Sequence, residues 1–150
     1  MRRQPMRVRG LDYSAEGFYF VTACAQGRDC IFGDIVGEAV RLSPVGIVAR
    51  DCLVEIPAHH GDVEVDSFVV MPNHVHALFA MSGSSPTSLS VVTGTYKAAV
   101  ARRSNRSRLW QRGYYDHVVR DEDDLERIRE YIEVNPVRWV LDPENPSRSS

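Results

Sequence analysis

The 150-residue chain has no hydrophobic run long enough to cross a membrane, because its longest purely apolar stretch is Ala77 to Met81. No apolar segment directly follows the basic start, Met1 to Pro5, so we expect no secretory signal. Cysteine is scarce as well. Cys24, Cys30 and Cys52 lack the spacing of a metal finger, and we expect reduced thiols. The sequence therefore predicts a cytoplasmic protein without a membrane partner.

Acidic residues are absent from the whole of residues 67–115, although the formal charge of the chain is only −2. The same stretch holds six basic residues: Lys97, Arg102, Arg103, Arg106, Arg108 and Arg112. All but one of the 18 basic residues in the chain are arginine, whose planar guanidinium binds phosphate with paired hydrogen bonds. A genome-wide preference for arginine would explain the ratio of arginine to lysine, but it would not explain the absence of acidic residues from 67–115. The acid-free stretch therefore favours contact with a phosphate backbone over a solvated helix face.

Apolar periodicity predicts alternating strands and helices in a chain whose 43% hydrophobic and 25% charged residues are typical of one globular domain. Strand-like runs occur at 18–25, 63–71 and 74–81, with a two-stranded ribbon at 30–35 and 38–42 and an extended stretch at 114–119. Helical spacing occurs at 45–56, 89–103 and 121–134. Pro57 is expected to end the first helix, and Asn135-Pro136 the last. Because a hairpin joins adjacent strands, we expect an α+β fold, a mostly antiparallel sheet with helices packed on its faces.

His74 and His76 follow the turn Pro72-Asn73 in a predicted strand, where side chains two residues apart point to one face. The apolar runs on both sides predict a central strand, in which two imidazoles need hydrogen bonds or a metal ion as partners. Two unrelated histidines fit the spacing too, and the motif alone favours them over a metal site. A nucleotide hydrolase would place a third histidine at Leu78, which argues against that class.

Tyr131 and Asn135 are four residues apart in the last predicted helix, so their side chains project to one side. The phenol is a candidate nucleophile, and the amide oxygen of Asn135 is a candidate hard metal ligand. Each residue also has an ordinary explanation, as a core-boundary tyrosine or as a cap before Pro136. Combined with the histidine pair, the pattern points to one reaction: a phenolate attacks phosphorus, an ion polarises a non-bridging oxygen, and a sugar hydroxyl departs.

The chain resembles the single-tyrosine transposases of bacterial insertion sequences, and most closely the REP-associated tyrosine transposases. The matching segments are residues 11–13, 19–22, 68–76, 109–117, 121–128 and 131–136. Three motifs are specific: the histidine pair in its Pro-Asn context, Trp-Gln-Arg at 110–112 before an aromatic pair, and Tyr-Ile followed by Asn-Pro at 131–136. The resemblance covers residues 9–140, which we take as the domain, with 1–8 as a basic arm and 141–150 as a flexible tail.

The resemblance implies an HUH-endonuclease fold, with a ferredoxin-like arrangement of an antiparallel sheet and helices. His74 and His76 match the metal-binding His-hydrophobic-His motif of the family, whose metal is Mg²⁺ or Mn²⁺. Tyr131 matches the tyrosine that becomes linked to the 5′ phosphate of cleaved single-stranded DNA, and Asn135 a position that can complete the metal site. Family substrates are single strands beside hairpins, often repeated extragenic palindromes. The covalent link stores the bond energy, so a free 3′ hydroxyl can rejoin strands without ATP. We expect a nucleoid-associated enzyme.

Other assignments remain open at this stage. The DNA-binding candidates are Arg102, Arg103, Arg106, Arg108, Arg112 and Tyr115, although the segment before Trp110 is shorter than in many family members. Tyr114 and Tyr115 are alternative nucleophiles, ranked behind Tyr131. We expect a hydrogen-bonded packing role for His117, a solvated loop at His59-His60 and helix-start roles for the acids at 121–124. The competing functions are a domesticated hairpin-DNA-binding protein that no longer cuts and an unrelated metal hydrolase that uses water. The chain could act alone or as a homodimer, with its tyrosine in cis or in trans.

Overall fold

The computed structural model describes residues 17–81, 87–139 and 145. Its strands are β1 (Phe18–Cys24), β2 (Gly33–Val36), β3 (Ala39–Leu42), β4 (Val63–Val70), β5 (His74–Met81) and β6 (Tyr115–Val118). Its helices are α1 (Pro44–Val54), α2 (Ile56–His59), α3 (Leu89–Arg103) and α4 (Glu122–Val134). The predicted basic arm, and the predicted tail except Asn145, lie outside the described residues. None of the helices described is long and apolar enough to cross a membrane.

Four strands form one sheet in the order β4-β5-β1-β6, with every neighbouring pair antiparallel, and β2 and β3 form a separate hairpin. The α+β prediction is therefore confirmed. β5 lies inside the sheet, and all eight of its residues are buried. The register places His76 opposite Thr22 of β1, and Thr22 opposite Tyr115 of β6. His74 lies opposite Cys24, at the same end of the sheet.

The two faces of the sheet carry different helices. On one face, which we call the α3 face, α1 and α3 pack over alternating residues such as Val21, Val75 and Phe79. On the other, the α4 face, Phe18 and Leu78 pack against the apolar side of α4. Side chains alternate along a strand, so the odd positions of β5 belong to the α3 face and the even positions to the α4 face. His74 and His76 therefore belong to the α4 face.

Local sequence explains where the long helices begin. The Ser88 hydroxyl accepts a hydrogen bond from the Val91 N–H at the start of α3, and the Asp121 carboxylate accepts one from the Asp124 N–H at the start of α4. Three acids in the first turn of α4 face the positive end of its helix dipole. Both helices match their predicted positions. No disulfide joins Cys24, Cys30 or Cys52 within the described residues.

Three boundaries differ from the predictions. α1 ends at Val54, and Pro57 lies in the first turn of α2, where a missing N–H costs no helical hydrogen bond. Because α2 extends to His59, the predicted loop is shorter than expected. The ribbon begins only at Gly33, since the N–H of the preceding Phe32 bonds the Pro72 carbonyl. The last helix ends at Val134, as predicted, and turns follow it, with the Arg138 N–H bonded to the Val134 carbonyl.

Candidate active site

The two histidines of β5 converge at one point. The Nε2 atoms of His74 and His76 lie 3.1 Å apart, and both side chains are buried. Ligands bonded to a cation at about 2.1 Å and about 90° to each other are separated by about 3.0 Å. The spacing between the two nitrogens is thus that of two adjacent ligands of one divalent ion.

Two neighbouring side chains hold the far nitrogen of each ring. His74 Nδ1 lies 2.9 Å from Asn73 Oδ1, and His76 Nδ1 lies 2.9 Å from Thr22 Oγ1. The Asn73 oxygen accepts from the Nδ1–H of His74, whereas the Thr22 hydroxyl can donate to or accept from His76. Both contacts fix the ring orientation, with the two Nε2 atoms turned towards each other. Burial, and secondarily the nearby His74, lowers the pKa of His76 well below its usual value. His76 is therefore neutral at neutral pH, the form that binds a metal.

The Tyr131 ring packs against the ring of His76. Its ring centroid is 5.3 Å from that of His76 and 6.0 Å from that of Phe20, which itself stacks on His76 at 5.1 Å. The aromatic contacts hold the ring at the α4 face, yet 42% of the residue is exposed. A phenol in this position is fixed in place and still accessible to a large substrate.

Asn135 is buried between two residues that contact the histidines. Tyr131, four positions before it, meets His76, and Trp139, four positions after it, has its ring 6.3 Å from that of His74. Residues four apart in helical turns share one side, so Asn135 lies on the side that carries Tyr131 and Trp139. Its Nδ2 donates to the Tyr131 carbonyl at 3.1 Å, whereas its Oδ1 is buried and has no hydrogen-bond partner among the described residues. An orphaned buried oxygen costs free energy, and a cation would relieve that cost.

These residues fit a divalent metal with mixed donors. Within residues 17–81, 87–139 and 145, no group of three His, Cys, Asp or Glu side chains forms a possible metal site. The third protein ligand of the histidine pair would therefore be the amide oxygen of Asn135, a hard donor of the kind that Mg²⁺ and Mn²⁺ accept.

α4 is anchored to the sheet of its own chain. Besides its apolar contacts, Arg129 forms a largely buried ion pair with Asp66, 2.8 Å between Nη2 and Oδ2. Asp66 lies at a bulge in β4, between Val65 and Ser67, where the extra residue turns its side chain towards the helix. Within the single chain described, α4 thus places the Tyr131 ring beside His76.

The predicted DNA-binding residues are divided between two places. Arg102 and Arg103 end α3, on the face opposite the histidines, and Arg103 is ion-paired with Glu55. Arg112 instead follows Gln111, whose N–H bonds the Cys24 carbonyl at the histidine end of the sheet. Arg106, Arg108 and Arg112 are exposed, and all these residues remain predictions as DNA contacts.

The lesser aromatic and histidine candidates have distinct positions. Tyr114 packs against the core of the α3 face, whereas Tyr115 is 66% exposed and shares the α4 face with Thr22. His117 is hydrogen-bonded to Asp124, as expected. His60 does not simply face solvent, because its Nε2 lies 3.1 Å from Thr95 Oγ1 on α3.

Sequence reasoning missed three residues of the site. Phe20 and Thr22 come from β1, more than fifty positions away from the histidines, and no local pattern links them. Asn73 was noted as part of a turn and of the histidine motif, but not as a hydrogen-bond partner of His74. Side chains alternate between the two faces along β1, but Thr22 could be assigned to the site only once the register between β1 and β5 was known.

The sequence is similar to proteins of one family. The family described as "Transposase IS200 like" matches residues 49–135, more than half of the chain. An uncharacterised protein of Haemophilus influenzae is 32% identical, over 93% of this chain and 91% of its own length. A REP-associated tyrosine transposase of Escherichia coli is 25% identical, over 51% of this chain and 47% of its own length.

The fold also has a solved counterpart. A structure of a REP-associated tyrosine transposase bound to a REP hairpin matches with a TM-score of 0.66 at 19% identity, over 84% of this chain and 70% of that one. At this identity the likeness shows a shared fold. The matched family segment contains His74, His76, Tyr131 and Asn135. The chain therefore belongs to the IS200-like transposase family, and REP-associated tyrosine transposases are among its relatives.

Proposed function

We propose that the protein is a metal-dependent endonuclease and strand transferase that cuts single-stranded DNA beside hairpins through a 5′-phosphotyrosine at Tyr131. The observation that carries the proposal is the packing of the Tyr131 ring 5.3 Å from His76, whose Nε2 is 3.1 Å from that of His74. A nucleophile beside a metal position is what phosphodiester transesterification requires.

The ligand set suits a phosphate substrate. His74, His76 and Asn135 would hold Mg²⁺ or Mn²⁺, and all three are neutral, so they would leave the charge of the ion uncompensated. When bound, the ion would polarise a non-bridging oxygen of the scissile phosphate and stabilise the charge that develops there.

The chain itself would position the nucleophile. The Tyr131 oxygen attacks phosphorus, the bond from phosphorus to the 3′ oxygen breaks, and the 3′ hydroxyl strand departs. The contacts with Phe20 and His76 restrict the phenol before DNA arrives, which lowers the entropic part of the barrier. Attack by a 3′ hydroxyl on the phosphotyrosine then reverses the bond changes and joins strands without a nucleotide cofactor.

The DNA partner is supported by a relative and by position. The solved relative is bound to a REP hairpin, and a hairpin-flanked single strand is the substrate we propose for this chain. Arg112 and Tyr115 lie at the histidine end of the sheet and would contact the strand entering the site, by ion pairing and by stacking on a base. Arg102, Arg106 and Arg108 would contact the more distant hairpin backbone.

The experiment is an adduct assay. The full chain is incubated with Mn²⁺ and labelled single-stranded DNA that carries a palindromic hairpin from beside its gene, and covalent products are resolved by denaturing electrophoresis. We expect a chelator-sensitive protein–DNA adduct on the 5′ phosphate. The adduct should disappear in Tyr131→Phe and persist in the matched control Tyr114→Phe, which removes a hydroxyl from the other face.

An adduct that survives in Tyr131→Phe would show that another residue is the nucleophile. Hairpin binding that ignores chelator, with no cutting in any metal, would instead identify a domesticated binding protein. Turnover without a covalent species would identify a hydrolase that uses water.

A further inference from the structure

A cleft of about 550 Å³ opens beside Tyr131, between α4 and the β1–β6 side of the sheet. Phe20 and Tyr131 provide its aromatic wall, and His117 and Asp124 provide a polar wall. The metal ligands do not line this cleft. It therefore holds polar groups near the nucleophile that the proposed metal chemistry leaves unused.

His117 and Asp124 form a tightly bonded pair in this cleft. His117 Nε2 lies 2.8 Å from Asp124 Oδ2, and Asp124 is only 4% exposed. The carboxylate also accepts hydrogen bonds from the Arg120 N–H at 2.9 Å and from Arg127 Nη2 at 3.1 Å. Burial works to raise the Asp124 pKa, but these hydrogen bonds outweigh it and hold the pKa well below its ordinary value. Asp124 is thus ionised and is held beside the His117 imidazole.

His117 and Tyr131 lie on the same side of the molecule. His117 is the cross-strand partner of Phe20, and the Phe20 ring meets the edge of the Tyr131 ring at 6.0 Å. On α4, Asp124 and Tyr131 are seven residues apart, which is two helical turns and about 10 Å along one side of the helix. Helical side chains lean towards the N-terminus, so the phenol leans towards the end that holds Asp124.

The proposed reaction needs a proton acceptor at this place. A phenol ordinarily has a pKa of about 10, so it must lose its proton as it attacks phosphorus at neutral pH. The histidines of β5 are occupied, since Nδ1 contacts Asn73 or Thr22 and Nε2 faces the metal position. Among the histidines of the described residues, His117 is the one that lines the Tyr131 cleft.

We propose that His117 is a catalytic base for Tyr131 and that Asp124 is its positioning residue. This inference rests on the proposed function and adds the proton path to it. As the bond from the Tyr131 oxygen to phosphorus forms and the bond to the 3′ oxygen breaks, the phenol proton passes to His117, directly or through one water. The departing 3′ oxygen takes a proton from solvent. During rejoining, His117 returns its proton to the Tyr131 oxygen, while the attacking 3′ hydroxyl gives its proton to solvent.

The pair has the arrangement that this role requires. A buried carboxylate hydrogen-bonded to an imidazole fixes the ring orientation and stabilises the cation that forms on proton uptake. The charged or titratable groups around His117 in the cleft and on α4 are Asp124, Arg120, Arg127, Glu130, Tyr131 and Arg138. Glu130 is the competing base among them. It is exposed, and among the described residues no side chain pairs with its carboxylate as His117 does with Asp124.

The test is the single-turnover rate of adduct formation on hairpin DNA with saturating Mn²⁺, measured against pH. His117→Gln should slow the reaction by about 10²–10⁴-fold and change the pH profile of the rate. Asp124→Asn should slow it less. His59→Gln, on the other face of the sheet, should react at the wild-type rate, and so should Glu130→Gln.

A second measurement separates proton transfer from a purely structural role. Tyr131 is replaced by trifluorotyrosine, whose ring fluorines make the phenol more acidic and less dependent on a base. This replacement should restore most of the rate lost in His117→Gln while leaving Mn²⁺ binding, measured by electron paramagnetic resonance, unchanged.

The inference is overturned if His117→Gln reacts within about threefold of wild type, if fluorination gives no rescue, or if Glu130→Gln shows the loss instead. Each of these results leaves the adduct, and hence the proposed function, intact. Absence of any wild-type adduct overturns both.

Discussion

The two faces of the sheet differ in the helices and the side chains that cover them. The α3 face is sealed by two helices over an apolar core, whereas the α4 face carries one helix, a buried ion pair, two imidazoles and an open cleft. The same strands contribute to both faces, because Val75 and His76 are neighbours in the chain and their side chains point to opposite faces. The comparison shows that a single alternating strand can present apolar side chains to one face and polar side chains to the other.

The largest predicted effect concerns how α4 is held. Arg129→Met leaves the buried Asp66 carboxylate unpaired, which we expect to destabilise the protein by about 3–5 kcal/mol in urea unfolding. Arg41→Met, which removes an exposed ion pair with Asp34 in the separate hairpin, should leave stability unchanged within error. Equal losses in the two variants would break the distinction between a buried and an exposed pair.

Acid should weaken the α4 face through Asp124. Because hydrogen bonds hold its pKa in the folded protein below the ordinary value of 3.8, the ionised carboxylate stabilises the fold above that pH. This contribution is lost as the pH falls below 3.8 towards the folded pKa. Unfolding free energies measured between pH 6 and pH 2.5 should therefore fall more steeply for the wild type than for Asp124→Asn. Parallel curves would contradict the assignment.

The sequence predicted an element of the fold correctly where the signal for that element lies in neighbouring residues. β5 and α3 appear at their predicted bounds because strand alternation and a serine cap are written in neighbouring residues. Pro57 was misjudged because a proline in a first turn resembles a helix stop when only the sequence is seen.

The candidate site was predictable only in part. His74, His76, Tyr131 and Asn135 were predicted from spacing and resemblance, and in the structure His76 lies against both His74 and Tyr131. The division of the arginines between the end of α3 and the histidine end of the sheet could not be foreseen, since it depends on how α3 packs against the rest of the chain. The same holds for Thr22, which reaches His76 only through the strand register.

Two threonines, Thr22 half-buried and Thr93 buried, sharpen the comparison of the faces. Thr22→Val removes the hydroxyl that contacts His76 Nδ1, and we expect Mn²⁺ affinity to fall by about 10–100-fold, by calorimetry. Thr93→Val, on the α3 face, replaces a buried hydroxyl that has no hydrogen-bond partner among the described residues by a methyl group. It should leave metal affinity unchanged and stability unchanged or raised. A loss of metal binding in Thr93→Val would show that the faces are coupled.

The smallest predicted effect distinguishes Arg112 from Arg102 by the effect of each on the adduct rate. Arg112→Gln, at the histidine end of the sheet, should reduce both hairpin-DNA affinity and the adduct rate, and lower the salt dependence of binding by about one phosphate contact. Arg102→Gln, at the end of α3, should reduce affinity alone. Both are measured by fluorescence anisotropy at several salt concentrations beside the adduct assay. Identical effects on the rate would place both residues at equal distance from the chemistry.

The exposure of Tyr131 has an evolutionary consequence. The residue is 42% exposed, whereas His74 and His76 are part of the packed interior, so replacing Tyr131 would disturb the fold less than replacing either histidine. Under the proposed function, a descendant altered at Tyr131 alone would keep its fold and bind DNA without cutting it.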